Sequence, residues 1–319
     1  MINLDSILQG KKTIGISGHV RPDGDCIGST LAMYNYIKDQ YPDAEPHLFL
    51  QIVPNIFKFL HRSEEICLDY PDMEPLDLFI ALDCASADRV GKAAKYSQSA
   101  KHTLCIDHHE TNGAFAEYNY IFPEASSTCE LVYELLPKER ITKEIAECLY
   151  TGIIHDTGVF QYSCTSPKTM QVAGDLMARG IDYPTIVDKT FYEKTYRQQR
   201  LLGLALAKSR LYLDGQCILT YLTQEEMDEF DALPKDLEGI VSQLRVTKGV
   251  RVAVFFYPSA EEAGYKFSTR ASGEGINLAR LAQQYGGGGH AKAAGFSMEG
   301  EIPELIEEVV GQIQKILSE

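Results

Sequence analysis

Short apolar runs that stop abruptly at charged residues recur along the first half of the chain. Residues 13–17 and 103–106 read as short buried strands, and 46–51 reads as another. The run 77–83 is apolar between its two aspartates, as expected of a strand covered on both faces of a parallel sheet. Between these runs, Ile27, Leu31, Tyr34 and Ile37 recur at helical spacing. Ser127-x-x-Glu130 predicts a capping box opening a helix that runs to Leu136 and closes at Pro137. A further helix is predicted over 142–154, with Ile145, Leu149 and Ile153 on one face. Ser166-Pro167 starts the next by cap and first-turn proline, and Gly180 ends it. Strand and helix in alternation predict an α/β domain on a parallel sheet.

Beyond Gly180 the pattern changes. Residues 183–208 read as a helical connector, with a capping box at Thr195-x-x-Gln198. Its Tyr192, Tyr196, Leu201 and Leu204 read as packing positions, with a dimer or interdomain surface as their other use. Strands follow at 217–222, 250–257 and 265–269, with helices near 223–230, 237–244, 276–285 and 303–317. The expected layout is a larger α/β domain over 1–185, a helical linker over 186–208 and a smaller mixed α/β domain over 209–319.

Composition narrows the setting. At 319 residues the chain is long enough for two cores. The first residues lack a basic region followed by an apolar stretch, and no apolar run approaches the roughly 20 residues that span a bilayer. The eight cysteines form no C-x-x-C pair, and Cys84, Cys105 and Cys148 fall on apolar faces. Reduced thiols in a cytoplasmic protein are expected, not a disulfide framework or a thiolate metal site. A net charge of −15 disfavours a protein that tracks long nucleic acid, which needs a basic stripe. A small phosphorylated ligand held by a few local cations remains compatible with it.

The candidate chemistry sits where the strands stop. His19, Asp23 and Asp25 follow the first strand, Asp83 ends the FIALD run, and Asp107, His108 and His109 end the strand at 103–106. Asp156 falls where the 142–154 helix gives way to a glycine turn. Imidazole and carboxylate together suit manganese and similar divalent ions, and ligands in open α/β sheets bind outside the carboxyl ends of the strands. Asp-Gly-Asp alone is a common turn, and a lone aspartate after a strand is commonly a helix cap. The joint occurrence of all four clusters, enough for two ions sharing a carboxylate at Asp83, favours a hydrolytic metal site. In the second half, four glycines (Gly286 to Gly289) followed by His290 let backbone amides approach an anion, and Arg270 supplies a planar fork for phosphate. Arg89 could reach a phosphate or cap a helix, and His155 could be a core or capping histidine.

HVRPDGDCIGS, ALDCAS, IDHHETN and GIIHDTG, in this order, resemble the successive motifs of the DHH phosphoesterases. Tyr285-Gly286-Gly287-Gly288-Gly289-His290, Ala293-Ala294-Gly295 and Ser268-Thr269-Arg270-Ala271-Ser272 resemble the DHH-associated substrate domain, so the resemblance spans nearly the whole chain. It implies a catalytic metal-binding domain first and a substrate-binding domain second. It further implies His19, Asp23 and Asp83 at one ion and Asp25, Asp83, His108 and Asp156 at the other, with manganese as the metal. Asp107 would orient a histidine, and His109 would face the substrate phosphate. Arg270 and His290, with amides of Gly287, Gly288 and Gly289, would hold another phosphate. His155 has no counterpart in the motif.

Size and motif order resemble the short bacterial members that act as oligoribonucleases and as phosphatases of 3'-phosphoadenosine 5'-phosphate (pAp). The implied substrates are short RNA oligonucleotides or phosphorylated nucleotides, without long nucleic acid or membrane, and a homodimer is left open. Competing readings are a phosphodiesterase of linear or cyclic dinucleotides, a RecJ-type single-strand exonuclease, and a non-catalytic nucleotide sensor.

Overall fold

A computed structural model describes residues 2–259 and 263–318. The chain forms two compact units, Met1–Glu193 and Lys194–Glu319. The first contains α1 (Leu4–Leu8), β1 (Thr13–Ser17), α2 (Gly24–Gln40), β2 (Glu45–Phe49), β3 (Leu78–Leu82), α3 (Ala94–Ser99), β4 (Thr103–Asp107) and β5 (Tyr118–Ile121). Then come α4 (Thr128–Leu135), α5 (Lys143–Asp156), α6 (Pro167–Met177) and α7 (Tyr183–Val187), which passes into a π-helical turn ending at Tyr192.

The five strands form an all-parallel sheet in the order β2-β1-β3-β4-β5. The chain moves outward in one direction from β1 to β2 and in the other from β3 to β5. The switch point therefore lies between β1 and β3, where open α/β sheets bind ligands. Helices α2, α4 and α5 cover one face through a core that includes Ile16, Ile80, Ile27 and Ile153. Phe79, Val90 and Tyr96 fill the other face. Every residue of β3 is buried, which is why its sequence lacks alternation.

Two glycines set how closely the helices cross. A side chain at Gly28 of α2 would meet the Cys148 carbonyl of α5 at 2.4 Å. One at Gly152 of α5 would meet Cys129 Sγ at 2.2 Å and the Asp25 carboxylate at 2.8 Å. The absent side chains bring α2, α4 and α5 together at the end where the acidic residues lie.

The second unit contains α8 (Tyr196–Lys208), β6 (Arg210–Tyr212), β7 (Cys217–Tyr221), α9 (Gln224–Glu229), α10 (Ile240–Arg245), β8 (Val252–Pro258), β9 (Tyr265–Ala271), α11 (Leu278–Gln284), β10 (Gly288–His290), β11 (Ala293–Met298) and α12 (Ile302–Ser318). Its mixed sheet runs β10-β11-β9-β8-β7-β6, antiparallel except between β7 and β8. Helices α11 and α12 pack on one face against Val254, Phe256, Phe267 and Phe296. On the other face, α8 and α10 cover Ile218, Ala253 and Phe255.

The stretch 183–208 is two helical pieces, not one. The helix stops at Tyr192 and restarts at Tyr196, where Thr195 and Gln198 form the expected capping box. Tyr192 and Tyr196 are exposed rather than packed, whereas Leu201 is buried. Ser127 caps α4, but Glu130 does not return the bond to Ser127 as a capping box requires. Lys292 donates to the carbonyls of Gly273 and Ile276. The cysteines are all free and six are buried. Among the described residues no helix is long and apolar enough to cross a membrane.

At the opposite end of β3 from the acidic cluster, Asp77 ties together the starts of the three central strands. Its carboxylate accepts from Lys101 Nζ at 2.8 Å and from the amides of Lys12 and Thr13 at 2.9 and 3.3 Å. Lys101, then the Lys12 amide, hold its pKa below the usual range. A depressed folded pKa stabilises above the unfolded value of about 3.9, and that stability is lost as pH falls through the folded value. Asp77→Ala should cost about 1 kcal/mol at neutral pH. In urea melts its gap to wild type should narrow as the pH is lowered past the unfolded value.

Candidate active site

Each acidic cluster sits at the carboxyl end of a strand or at a helix terminus that faces it. Asp23 is the N-cap of α2, its Oδ1 accepting from the amides of Asp25 and Cys26 at 3.1 Å each. Asp23-Gly24-Asp25 is thus a capped helix start rather than a turn, and Asp23 lies 3.6 Å from His19 Nε2. Asp83 follows β3 with a left-handed backbone, φ 57°, which aspartate tolerates better than most residues. Strain of this kind concentrates at functional sites.

Asp83 is the hub. Its Oδ2 lies 3.4 Å from His19 Nε2, and its Oδ1 lies 3.7 Å from both His108 Nε2 and His109 Nδ1. His108 Nε2 is 3.1 Å from Asp156 Oδ2 at the end of α5. Asp25, His108 and Asp156 bring ligand atoms within 4.8 Å of one another, and so do Asp83, His108 and His109. His19, Cys26 and Asp83 form a third such group, which adds a buried thiol the sequence reading did not consider. Asp107 accepts from His109 Nδ1 at 2.7 Å, fixing that ring. Among the described residues His109 Nε2 has no partner, and the side chain is 41% exposed.

The electrostatics call for cations. Burial, then repulsion from Asp83 and Asp156, pushes the Asp25 carboxyl well above the usual carboxylate range. Burial and the charge on Asp83 push Asp156 up as well, against the pull of His108. Burial alone would depress His19 and His108, yet Asp23 and Asp83 raise the first, and Asp156 with Asp25 the second, each to about 10. An oxygen-and-imidazole donor set of this charge fits divalent cations. His19 Nδ1 donates to the Val20 carbonyl at 2.9 Å and His108 Nδ1 to that of Ala125 at 3.4 Å, leaving both Nε2 atoms for a cation.

Several contributors escaped the sequence reading. Both oxygens of Asp25 accept from the N-terminus of α4, Oδ2 from the Thr128 amide at 2.7 Å and Oδ1 from the Cys129 amide at 2.9 Å. Thr128 Oγ1 donates to Asp83 Oδ1 at 3.2 Å. Asn112 donates to Asp107 at 2.6 Å; it lies inside the IDHHETN motif, which was the available signal. The Arg89 guanidinium stands 3.4 Å from His19 Nδ1, beside the cluster. His155 packs between Phe57 and Phe191, with ring centroids at 5.0 and 4.5 Å, and burial lowers its pKa to about 4. It is a packing histidine.

In the second unit, Arg270 pairs in register with Ala293, and Ser268 with Gly295, which is opposite Gly288. These small and polar residues share the sheet face that α8 and α10 cover over β7 and β8. Burial, then the neighbouring Arg245, lowers the Arg270 pKa, and neither arginine has an acidic partner among the described residues. Gly288 and Gly289 belong to the edge strand β10, while Gly286 and Gly287 lead into it. Gly289 adopts φ 141°, and a side chain there would meet the Ala293 carbonyl at 2.5 Å. The Gly287 amide donates to the Ala282 carbonyl at 2.9 Å, and His290 is exposed.

Carboxylates and imidazoles gathered at the switch point of a parallel sheet fit the metal-dependent hydrolases. Residues 13–153 match the DHH family N-terminal domain and residues 214–319 match the DHHA1 domain. The chain belongs to the DHH family, whose members are metal-dependent phosphoesterases. It is 30% identical over 313 residues to the bifunctional oligoribonuclease and PAP phosphatase NrnA of Thermus thermophilus, covering 96% of this chain and 90% of that one. To the protein of the same name in Bacillus subtilis it is 30% identical, covering 90% and 89%. The crystal structure of an exopolyphosphatase-related protein from Bacteroides fragilis superposes with a TM-score of 0.87 at 29% identity, covering 98% of this chain and 96% of that one.

Because the carboxylates around His19 and His108 hold both imidazoles above their ordinary range, a divalent cation entering near neutral pH should displace protons. Calorimetric titration should show a binding enthalpy that varies with the ionisation enthalpy of the buffer, and affinity that rises with pH. A buffer-independent enthalpy would contradict this account of the site.

Proposed function

We propose that this chain is a cytoplasmic two-metal phosphoesterase that hydrolyses short oligoribonucleotides to 5'-mononucleotides and pAp to AMP and phosphate. The observation that carries the reading is the convergence on Asp83 of His19, His108 and His109, with Asp23, Asp25 and Asp156 around them. The near full-length similarity to two proteins named for these activities supports it. His19, Asp23 and Asp83 would hold one ion and Asp25, Asp83, His108 and Asp156 the other, with manganese suited to the donor set. When bound, such ions supply positive charge at the phosphoryl oxygens and lower the pKa of a water.

The chain's own residues do the rest. His109, kept protonated above its ordinary range by Asp107 and half exposed, can donate from Nε2 to a phosphate oxygen on which charge develops. Asn112 donates to the other Asp107 oxygen, so that carboxylate cannot rotate away from the ring. Arg270 and His290, with amides of the glycine strand, would take a second phosphate and so select small phosphorylated substrates.

Incubation with manganese and, separately, pAp, pApA, a short oligoribonucleotide and a long unstructured RNA tests the reading. Cleavage of the small substrates with the long RNA intact is expected. Degradation of the long RNA would make the protein a processive exonuclease, and inertness on all of them would make it a sensor. Asp83→Ala should abolish turnover and divalent-cation binding together. Arg270→Ala should raise KM at least tenfold, the loss of roughly 1.5–3 kcal/mol for a charged hydrogen bond, with a much smaller change in kcat.

A further inference from the structure

Glu130 is 1% exposed, yet it has no hydrogen bond or ion pair with the acid and imidazole residues of the site. Its Oε2 accepts from Ser126 Oγ at 2.6 Å, from the Ser126 amide at 3.4 Å and from Thr169 Oγ1 at 2.8 Å. Lys168 Nζ stands 3.8 Å from Oε1. Thr169 belongs to the first turn of α6, where it shares a reciprocal cap with Ser166. Glu130 therefore spans from the segment entering α4 to the start of α6, which is why it does not close the capping box with Ser127.

That segment touches three residues of the metal site at once. The Ala125 carbonyl accepts from His108 Nδ1, Thr128 Oγ1 donates to Asp83, and the Thr128 and Cys129 amides donate to Asp25. A displacement of this turn by a fraction of an ångström would misdirect all three together. A buried carboxylate is costly unless its oxygens are satisfied, and packing alone would be served by an apolar side chain. Three converging donors and a place in the first turn of α4 offset that cost.

We propose that Glu130 is a positioning residue for the metal centre, holding the Ala125–Cys129 turn so that Asp25, Asp83 and His108 share one geometry. The role rests on the reading of that cluster as a divalent-cation site. It predicts that loss of the carboxylate weakens cation binding and leaves substrate recognition intact.

The test is calorimetric titration of manganese into the full chain without substrate, for wild type, Glu130→Gln, Ser126→Ala and Thr169→Val, alongside thermal unfolding in chelator. Glu130→Gln should raise the manganese Kd by roughly 10–100-fold, the range for loss of a partner behind a metal ligand. Its kcat should recover at saturating manganese, with an unchanged KM for pAp. Ser126→Ala and Thr169→Val should shift the Kd in the same direction, and they decide the matter if Glu130→Gln does not fold. Folded variants with a lowered unfolding temperature but wild-type Kd would overturn the role, because they would make Glu130 merely structural. A wild-type chain that binds no divalent cation would instead fail the reading of the site itself.

Discussion

Three aspartates that repel one another have to be held close together where water is scarce, and much of the first unit is arranged around that constraint. Asp25 is fully buried, Asp83 nearly so, and Asp156 lies across from both. The nearest remedy is the N-terminus of α4, whose first amides close on both oxygens of Asp25. A helix terminus has unpaired N–H groups and a favourable dipole for an anion, so one element serves both needs. The glycines of α2 and α5 make the approach possible, since a methyl group at Gly152 would strike Asp25 itself. What the helices leave uncompensated, His19 and His108 offset in part, each held above the ordinary imidazole range by neighbouring carboxylates.

That division explains how much of the site could be read before the fold was known. Asp83 and the Asp107-His108-His109 triplet announce themselves because each ends an apolar run, and a strand's carboxyl end has a fixed place in an α/β sheet. Glu130 announces itself only as half of a capping box. Its real partner, Thr169, is 39 residues away, and no local pattern can reveal a bond of that range. The thiol of Cys26 and the hydroxyl of Thr128 escaped for the same reason, since they are ordinary helix residues until the helices cross.

Elements went unread where composition hides periodicity. β11 alternates buried and half-buried positions, but Ala293, Ala294 and Gly295 are too small to display it. β10 is three residues of glycine and histidine that gain strand geometry only by pairing with β11. The glycines that suggested an anion site also allow close antiparallel contact, with the carbonyls of Gly295 and Ala293 lying where side chains of Gly287 and Gly289 would stand. Tyr192 and Tyr196 were misplaced because helical periodicity was carried through a real break at 193–195.

The charge balance bears on the kind of anion such a protein can hold. A chain of net charge −15 repels nucleic acid at long range, and at physiological salt that repulsion fades within about 8 Å. Capture then depends on a few cations whose water has already been removed. Arg270 meets that condition: it is partly buried, its charge is disfavoured by burial and by Arg245, and no described acid neutralises it. A phosphate bound there, as proposed, would relieve that penalty, whereas a surface lysine would trade one hydration shell for another. Under the proposed function, selectivity would follow because this relief is local, sufficient for one phosphate and absent for the rest of a long backbone. An acidic chain with one partly buried arginine free of acidic partners would, on the proposed reading, favour small phosphorylated ligands over polymers.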